Sequence, residues 1–141
     1  MTDFLDVMEA LALRFAGVDG LKQRHAFPPG DLGSVPAIVV SVGEDEGGIA
    51  DYAPTIGGDA TDLDLVLNVF VQWGDNRAAW ARLMPFLAPT GGASLLAAVD
   101  ADPTLGGLVD STQLGKPRNL GPYTYGATKY LGAEFPVEVL L

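Results

Sequence analysis

An α+β fold, with a mixed or antiparallel β-sheet and helices packed on one face, is predicted by three observations. Residues 62–73 alternate between apolar and mixed side chains with the period of two of a strand. Apolar residues recur at helical spacing near the N-terminus and again after Gly74. The segments follow the order helix, two strands, a long hairpin-like loop or strand pair, strand, two helices and three strands. That order segregates helices from strands instead of interleaving them, as a parallel doubly wound sheet would require.

The first helix is predicted over Asp3 to Ala16. Phe4, Met8, Leu11 and Phe15, with Val7 beside them, make one apolar face, and Gly17 is the natural stop. Asp3 and Asp6 sit near the positive end of the helix dipole and Arg14 near the negative end. Leu21 to Phe27 reads as a short strand of mixed pattern. Pro28 to Ser34 reads as an irregular connector. Ala37-Ile38-Val39-Val40-Ser41-Val42 is an apolar, β-branched run that fits a strand covered on both faces, and is the candidate central strand.

Gly43 to Thr61 is the least core-like segment. It holds Glu44, Asp45, Glu46, Asp51 and Asp59, with Ile49, Tyr52 and Ile56 as its large apolar residues. It reads either as an exposed acidic loop or as a projecting hairpin that docks on a neighbouring subunit. In the strand that follows, Leu63, Leu65, Leu67, Val69, Val71 and Trp73 form one buried face. Asp62, Asp64, Val66, Asn68, Phe70 and Gln72 form a face that starts acidic and becomes apolar.

Asp75 or Asn76 caps the second helix, whose face is Trp80, Leu83, Met84 and Leu87, and Pro85 should kink it or end it early. Ser94 caps a short third helix through Leu95, Leu96 and Val99. The stretch Ala101 to Leu114 is the architectural pivot. Asp102-Pro103 reads as a helix start whose turn is cut short by Gly106-Gly107, with Leu105 as a buried peg and a strand from Leu108 to Leu114. Gly115 to Pro122 reads as a turn-rich insert. Tyr123-Thr124-Tyr125 is strand-like, Gly126-Ala127-Thr128 is a turn, and a returning strand from Lys129 closes the chain. Pro136 in that strand cannot donate to a ladder, which suggests an edge, a bulge or a join to something else.

Composition narrows the function. A chain of 141 residues is expected to be one domain, residues 1–141, with a single core; 48% hydrophobic and 18% charged residues mark it as globular. With no Cys, a disulfide framework and thiol-bound zinc are excluded. No apolar run is long enough to span a membrane and no leader pattern opens the chain, so a soluble protein made in the cytoplasm is expected. The formal charge of −10, with eight scattered basic residues, argues against binding nucleic acid by phosphate neutralisation. The acidity fits a soluble surface, or one past which DNA slides without sticking.

Residues that could carry chemistry are few. His25 is the single histidine. No Ser lies in a nucleophile-elbow context, and no Gly pair is followed by the Lys-Ser or Lys-Thr of a phosphate loop. Asp59, Asp62 and Asp64 match no calcium-loop spacing; two of them simply share the polar face of a strand. Tyr123, Tyr125 and Tyr130 read as packing aromatics. No catalytic residue, metal or cofactor is expected, and a small-molecule-binding domain is the reading from another class.

Three stretches carry a resemblance: Asp102-Pro103-Thr104-Leu105-Gly106-Gly107-Leu108-Val109-Asp110-Ser111, Gly121 to Gly126, and Tyr130 to Val139. Trp73-Gly74-Asp75-Asn76-Arg77-Ala78-Ala79 adds a strand-to-helix junction. Over nearly the whole chain they resemble the tail terminator proteins of long-tailed phages infecting actinobacteria; related α+β folds serve head–tail connector and head-completion proteins of the neck. The resemblance implies a viral structural protein of the virion. It would act as a ring, of six copies, that caps the head-proximal end of the tail tube and offers a surface to the head. Implied partners are further copies of the chain, the major tail tube protein and the head–tail connector or stopper, with DNA passing through the lumen unbound. A ring needs two different complementary surfaces. The candidates are the acidic loop (Glu44, Asp45, Glu46, Ile49, Asp51, Tyr52, Ile56) and the Pro136 edge.

Overall fold

The computed structural model describes residues 4–42, 50–52 and 60–141, with no account of the side chains at 50–52, 60 and 61. Three helices, α1 (Phe4–Arg14), α2 (Arg77–Leu87) and α3 (Leu95–Asp100), pack on one face of a mixed sheet of seven strands. The strands are β1 (Gln23–His25), β2 (Ala37–Val42), β3 (Ala50–Tyr52), β4 (Ala60–Gln72), β5 (Ser111–Leu114), β6 (Arg118–Tyr125) and β7 (Thr128–Leu140). The main order is β1-β2-β4-β7-β5, with β3 pairing β4 and β6 pairing β7. Among the described residues only β1 and β2 run parallel, and every other pairing is antiparallel. This is the expected α+β class.

The helices cover the sheet because their apolar faces match its alternation. Val7, Met8, Leu11 and Phe15 meet Ile38 and Val40 and the set Leu63, Leu65, Leu67, Val69 and Val71, all buried. Ala79, Leu83 and Phe86 of α2, and Leu95 and Val99 of α3, complete the core with Leu131, Ala133, Phe135, Val137 and Val139 of β7. α1 is tied to α3 by Arg14, whose Nε and Nη2 donate to the Ala98 carbonyl at 3.3 and 2.9 Å. A second cluster, Leu32, Val39, Phe70 and Tyr130, lies on the other face. There the Pro28–Ser34 connector and the β6 tyrosines cover the upper sheet.

Several expectations need correction. The first helix ends at Arg14 and tightens into a 3-10 turn over Phe15–Gly17. β2 is interior but lies one strand from the β1 edge, and the long central pair is β4–β7. α2 runs two residues beyond Pro85, because a proline so near the C-terminus removes a single helical bond. No helix starts at Asp102-Pro103; residues 103–108 form turns, and β5 begins at Ser111, not Leu108. Of the expected insert, Gly115 to Pro117 lie outside any strand, and Arg118 to Pro122 are in fact the first part of β6, which carries a register shift between Arg118 and Gly121.

Pro136 is not at an edge. It pairs with Val66 within the central β4–β7 ladder. The Gly115 amide donates to its carbonyl at 2.7 Å, on the side where β5 ends at Leu114 and β6 begins at Arg118. The nitrogen that cannot donate therefore faces a break in the neighbouring strand, where no ladder bond is due.

Candidate interaction surface

Residues directly opposite each other in an antiparallel pair share a face. The register therefore assembles one surface from strands distant in sequence. Asp62 lies opposite Leu140, Asp64 opposite Glu138, Val66 opposite Pro136 and Asn68 opposite Glu134. Gln113 extends the row from Glu138, and Arg118 from Glu134. None of the three helices lies on this face. Four carboxylates thus share a stretch of sheet with one guanidinium, Arg118, whose Nε lies 3.0 Å from Glu134 Oε1.

A groove of about 270 Å³ runs across this surface. Val66 and Pro136 are its apolar floor, and Asp64, Glu138, Gln113 and Arg118 its walls. Glu138 is exposed, and Leu140 beside it is 41% exposed. The arrangement suits a cationic side chain with an aliphatic stem: apolar contact below, carboxylates above.

The upper end of the same face is closed by aromatic packing. Phe70 meets Tyr123 and Tyr125 edge-on, at centroid distances of 5.5 and 5.8 Å, and Tyr130 at 6.0 Å. The Tyr123 hydroxyl donates to the Asn119 carbonyl, and Tyr125 to that of Pro29. Burial raises the pKa of both phenols, with the Glu134 charge adding to the rise at Tyr123. His25 faces this connector, with Nε2 3.4 Å from the Leu32 carbonyl.

The pivot turn is held by Asp102. Its carboxylate accepts from the Thr104 hydroxyl at 2.8 Å and from the Gly106 amide at 2.9 Å. These bonds, the Thr104 hydroxyl first, lower its pKa. Leu105 is buried and takes a left-handed φ of 52°, followed by Gly106 at 76° and Gly107 at 90°. Pro103 opens the turn. The peg is a structural element.

Of the residues proposed for subunit contact, Pro136 sits in the groove floor. Asp51 and Tyr52 lie in β3, on the backbone beside β4. Glu44, Asp45, Glu46, Ile49 and Ile56 lie outside the described residues, as does Asp59. Glu138, Gln113 and Arg118 were missed by sequence reasoning. The alternation of Glu134 and Glu138 with Phe135, Val137 and Val139 signals a polar face, but only the β4–β7 register sets that face beside Asp62 and Asp64. Among the described residues, no group of three or more His, Cys, Asp or Glu is placed to hold a metal ion, and no helix is long and apolar enough to cross a membrane. In comparisons with known proteins, the chain matches no family model and no curated protein.

Proposed function

We propose that this chain is a virion assembly protein of the tail-terminator type. As a ring it caps the head-proximal end of a phage tail tube, stops tube polymerisation and provides the surface for head joining. The carrying observation is that the separate stretches behind the resemblance fall on one continuous unit. The turn at 102–110 leads into β5, Gly121 to Tyr125 lie in β6, and Tyr130 to Val139 lie in β7, which pairs with both. Trp73 to Ala79 is the junction between β4 and α2.

The open sheet face is consistent with this role. Carboxylates of this face that a neighbouring subunit leaves uncovered repel the phosphates of DNA, so those facing a lumen let the genome slide past without binding. The protein would reside at the tail–neck junction of the virion after synthesis in the host cytoplasm, in contact with the tube protein and the head connector.

The test is electron microscopy of particles made when the gene carries a nonsense mutation. Overlong tubes without heads are expected. Tails of normal length beside filled, unattached heads would instead assign the protein to the neck as a connector or head-completion protein.

A further inference from the structure

The acidic sheet face has a counterpart on the opposite side of the molecule. α2 packs inward through Ala79, Leu83 and Phe86, which leaves an outward arc of Met84, Arg77, Ala81, Pro85, Ala78 and Arg82. All six are exposed. The helix contains two arginines and no acidic residue, in a chain with a formal charge of −10. Among the described residues neither arginine has a carboxylate within salt-bridge distance, and Glu138 has no basic side chain within that distance. Ala78, Ala81 and Pro85 keep the middle of the arc low, so the two arginines stand at its flanks. Met84, 41% exposed, adds an apolar contact.

We infer that the outward arc of α2 docks on the helix-free β4–β7 face of a second copy of this chain, with an arginine of α2 entering the groove over Val66 and Pro136 and meeting Glu138. The occupant follows from charge and shape. The groove presents an apolar floor between Asp64 and Glu138, its one guanidinium, Arg118, being paired to Glu134, and α2 presents guanidiniums on aliphatic stems. Met84 and Leu140 supply exposed apolar surface on either side of the joint. Because helix and open face lie on opposite sides of the sheet, one contact leaves each copy with one surface free. The contact is heterologous and propagates head to tail, closing where the rotation between copies allows. The inference rests on the assembly reading above, whose two complementary ring surfaces it names.

The test is sedimentation velocity on the purified full-length chain, with circular dichroism confirming that each variant folds. Wild-type protein is expected to form species larger than a monomer that weaken as salt rises. Glu138→Arg alone, and Arg77→Glu with Arg82→Glu together, should each weaken association about tenfold or more. An equimolar mixture of the two variants should restore it, because each then meets the opposite charge on its neighbour. The triple variant should also associate with itself. Oligomers indifferent to both reversals, or a mixture that stays monomeric, would overturn these surfaces while leaving the terminator role to be decided by tail length. A wild-type chain monomeric at its highest soluble concentration would overturn the contact as well.

Discussion

The Asp102 carboxylate and the Gly106 amide close a turn at 2.9 Å around Leu105, the buried residue that the turn presents to the core. The same carboxylate takes the Thr104 hydroxyl. Both bonds favour the charged form, so the folded-state pKa of Asp102 lies below its unfolded value. The stabilisation is therefore complete above the unfolded pKa of about 3.9 and is lost as pH falls through the lower folded value. Asp102→Asn should flatten this part of the acid limb. Thermal unfolding of both proteins at a series of acid pH values checks it; parallel curves would show that the turn does not titrate.

Leu105 combines a buried side chain with a φ of 52°, a region that costs a non-glycine residue about 1–2 kcal/mol. Leu105→Ala removes the peg and keeps the strain, for a loss of about 2–4 kcal/mol. Leu105→Gly removes the same peg and relieves the strain. It should be the more stable of the two, reversing the usual order, in urea denaturation. Alanine more stable than glycine would show that the strain is negligible.

Ser94 acts at both of its polar ends. Its hydroxyl oxygen accepts from the Ala97 amide at 3.1 Å, capping α3, and donates to the Ala88 carbonyl beyond α2. The residue is 1% exposed. Asn76 caps α2 in the same manner, accepting from the Ala79 amide at 3.1 Å, but at the surface. Ser94→Ala should cost about 2 kcal/mol, because loss of the cap is joined by a half-buried carbonyl deprived of its donor, and Asn76→Ala about 1 kcal/mol. Equal losses in chemical denaturation would remove the Ala88 bond from the explanation.

The elements most legible in the sequence were those whose periodicity is set by burial. β4 alternates because helices cover one side throughout and aromatic packing covers only the end of the other, so Asp62 and Phe70 share a face. Ser94 was legible because capping is local, and the α2 cap was narrowed to Asp75 or Asn76, of which Asn76 holds it. β6 was hidden by Asn119, Gly121 and Pro122, residues that signal turns; with β7 on one side only, it tolerates a register shift and a proline. Pro136 misled for the converse reason. Its missing donor points at the gap between β5 and β6, which depends on pairings tens of residues away. The groove was legible only in parts, as polar positions in separate strands. Its assembly needs the register of β4 on β7, which local pattern does not carry.

That register also depends on a glycine. A Cβ on Gly132 would stand 2.7 Å from the Val69 carbonyl oxygen and 3.0 Å from the rings of both Phe70 and Tyr123. The first neighbour is backbone of the central ladder and cannot rotate away, and the rings are locked in the aromatic cluster. Gly132→Ala must therefore spread β4 from β7 or displace β6, at a cost of about 1–3 kcal/mol or more. Gly17, in the turn after α1, has nothing within 4 Å of where a Cβ would stand and no left-handed φ. Gly17→Ala should be neutral or stabilising by up to about 1 kcal/mol, through the unfolded state. Urea denaturation of the two variants separates a steric origin from a general penalty for replacing glycine. Near-equal midpoints would show that the close approach at Gly132 relaxes without cost, and the β4–β7 spacing would then not be what this glycine maintains.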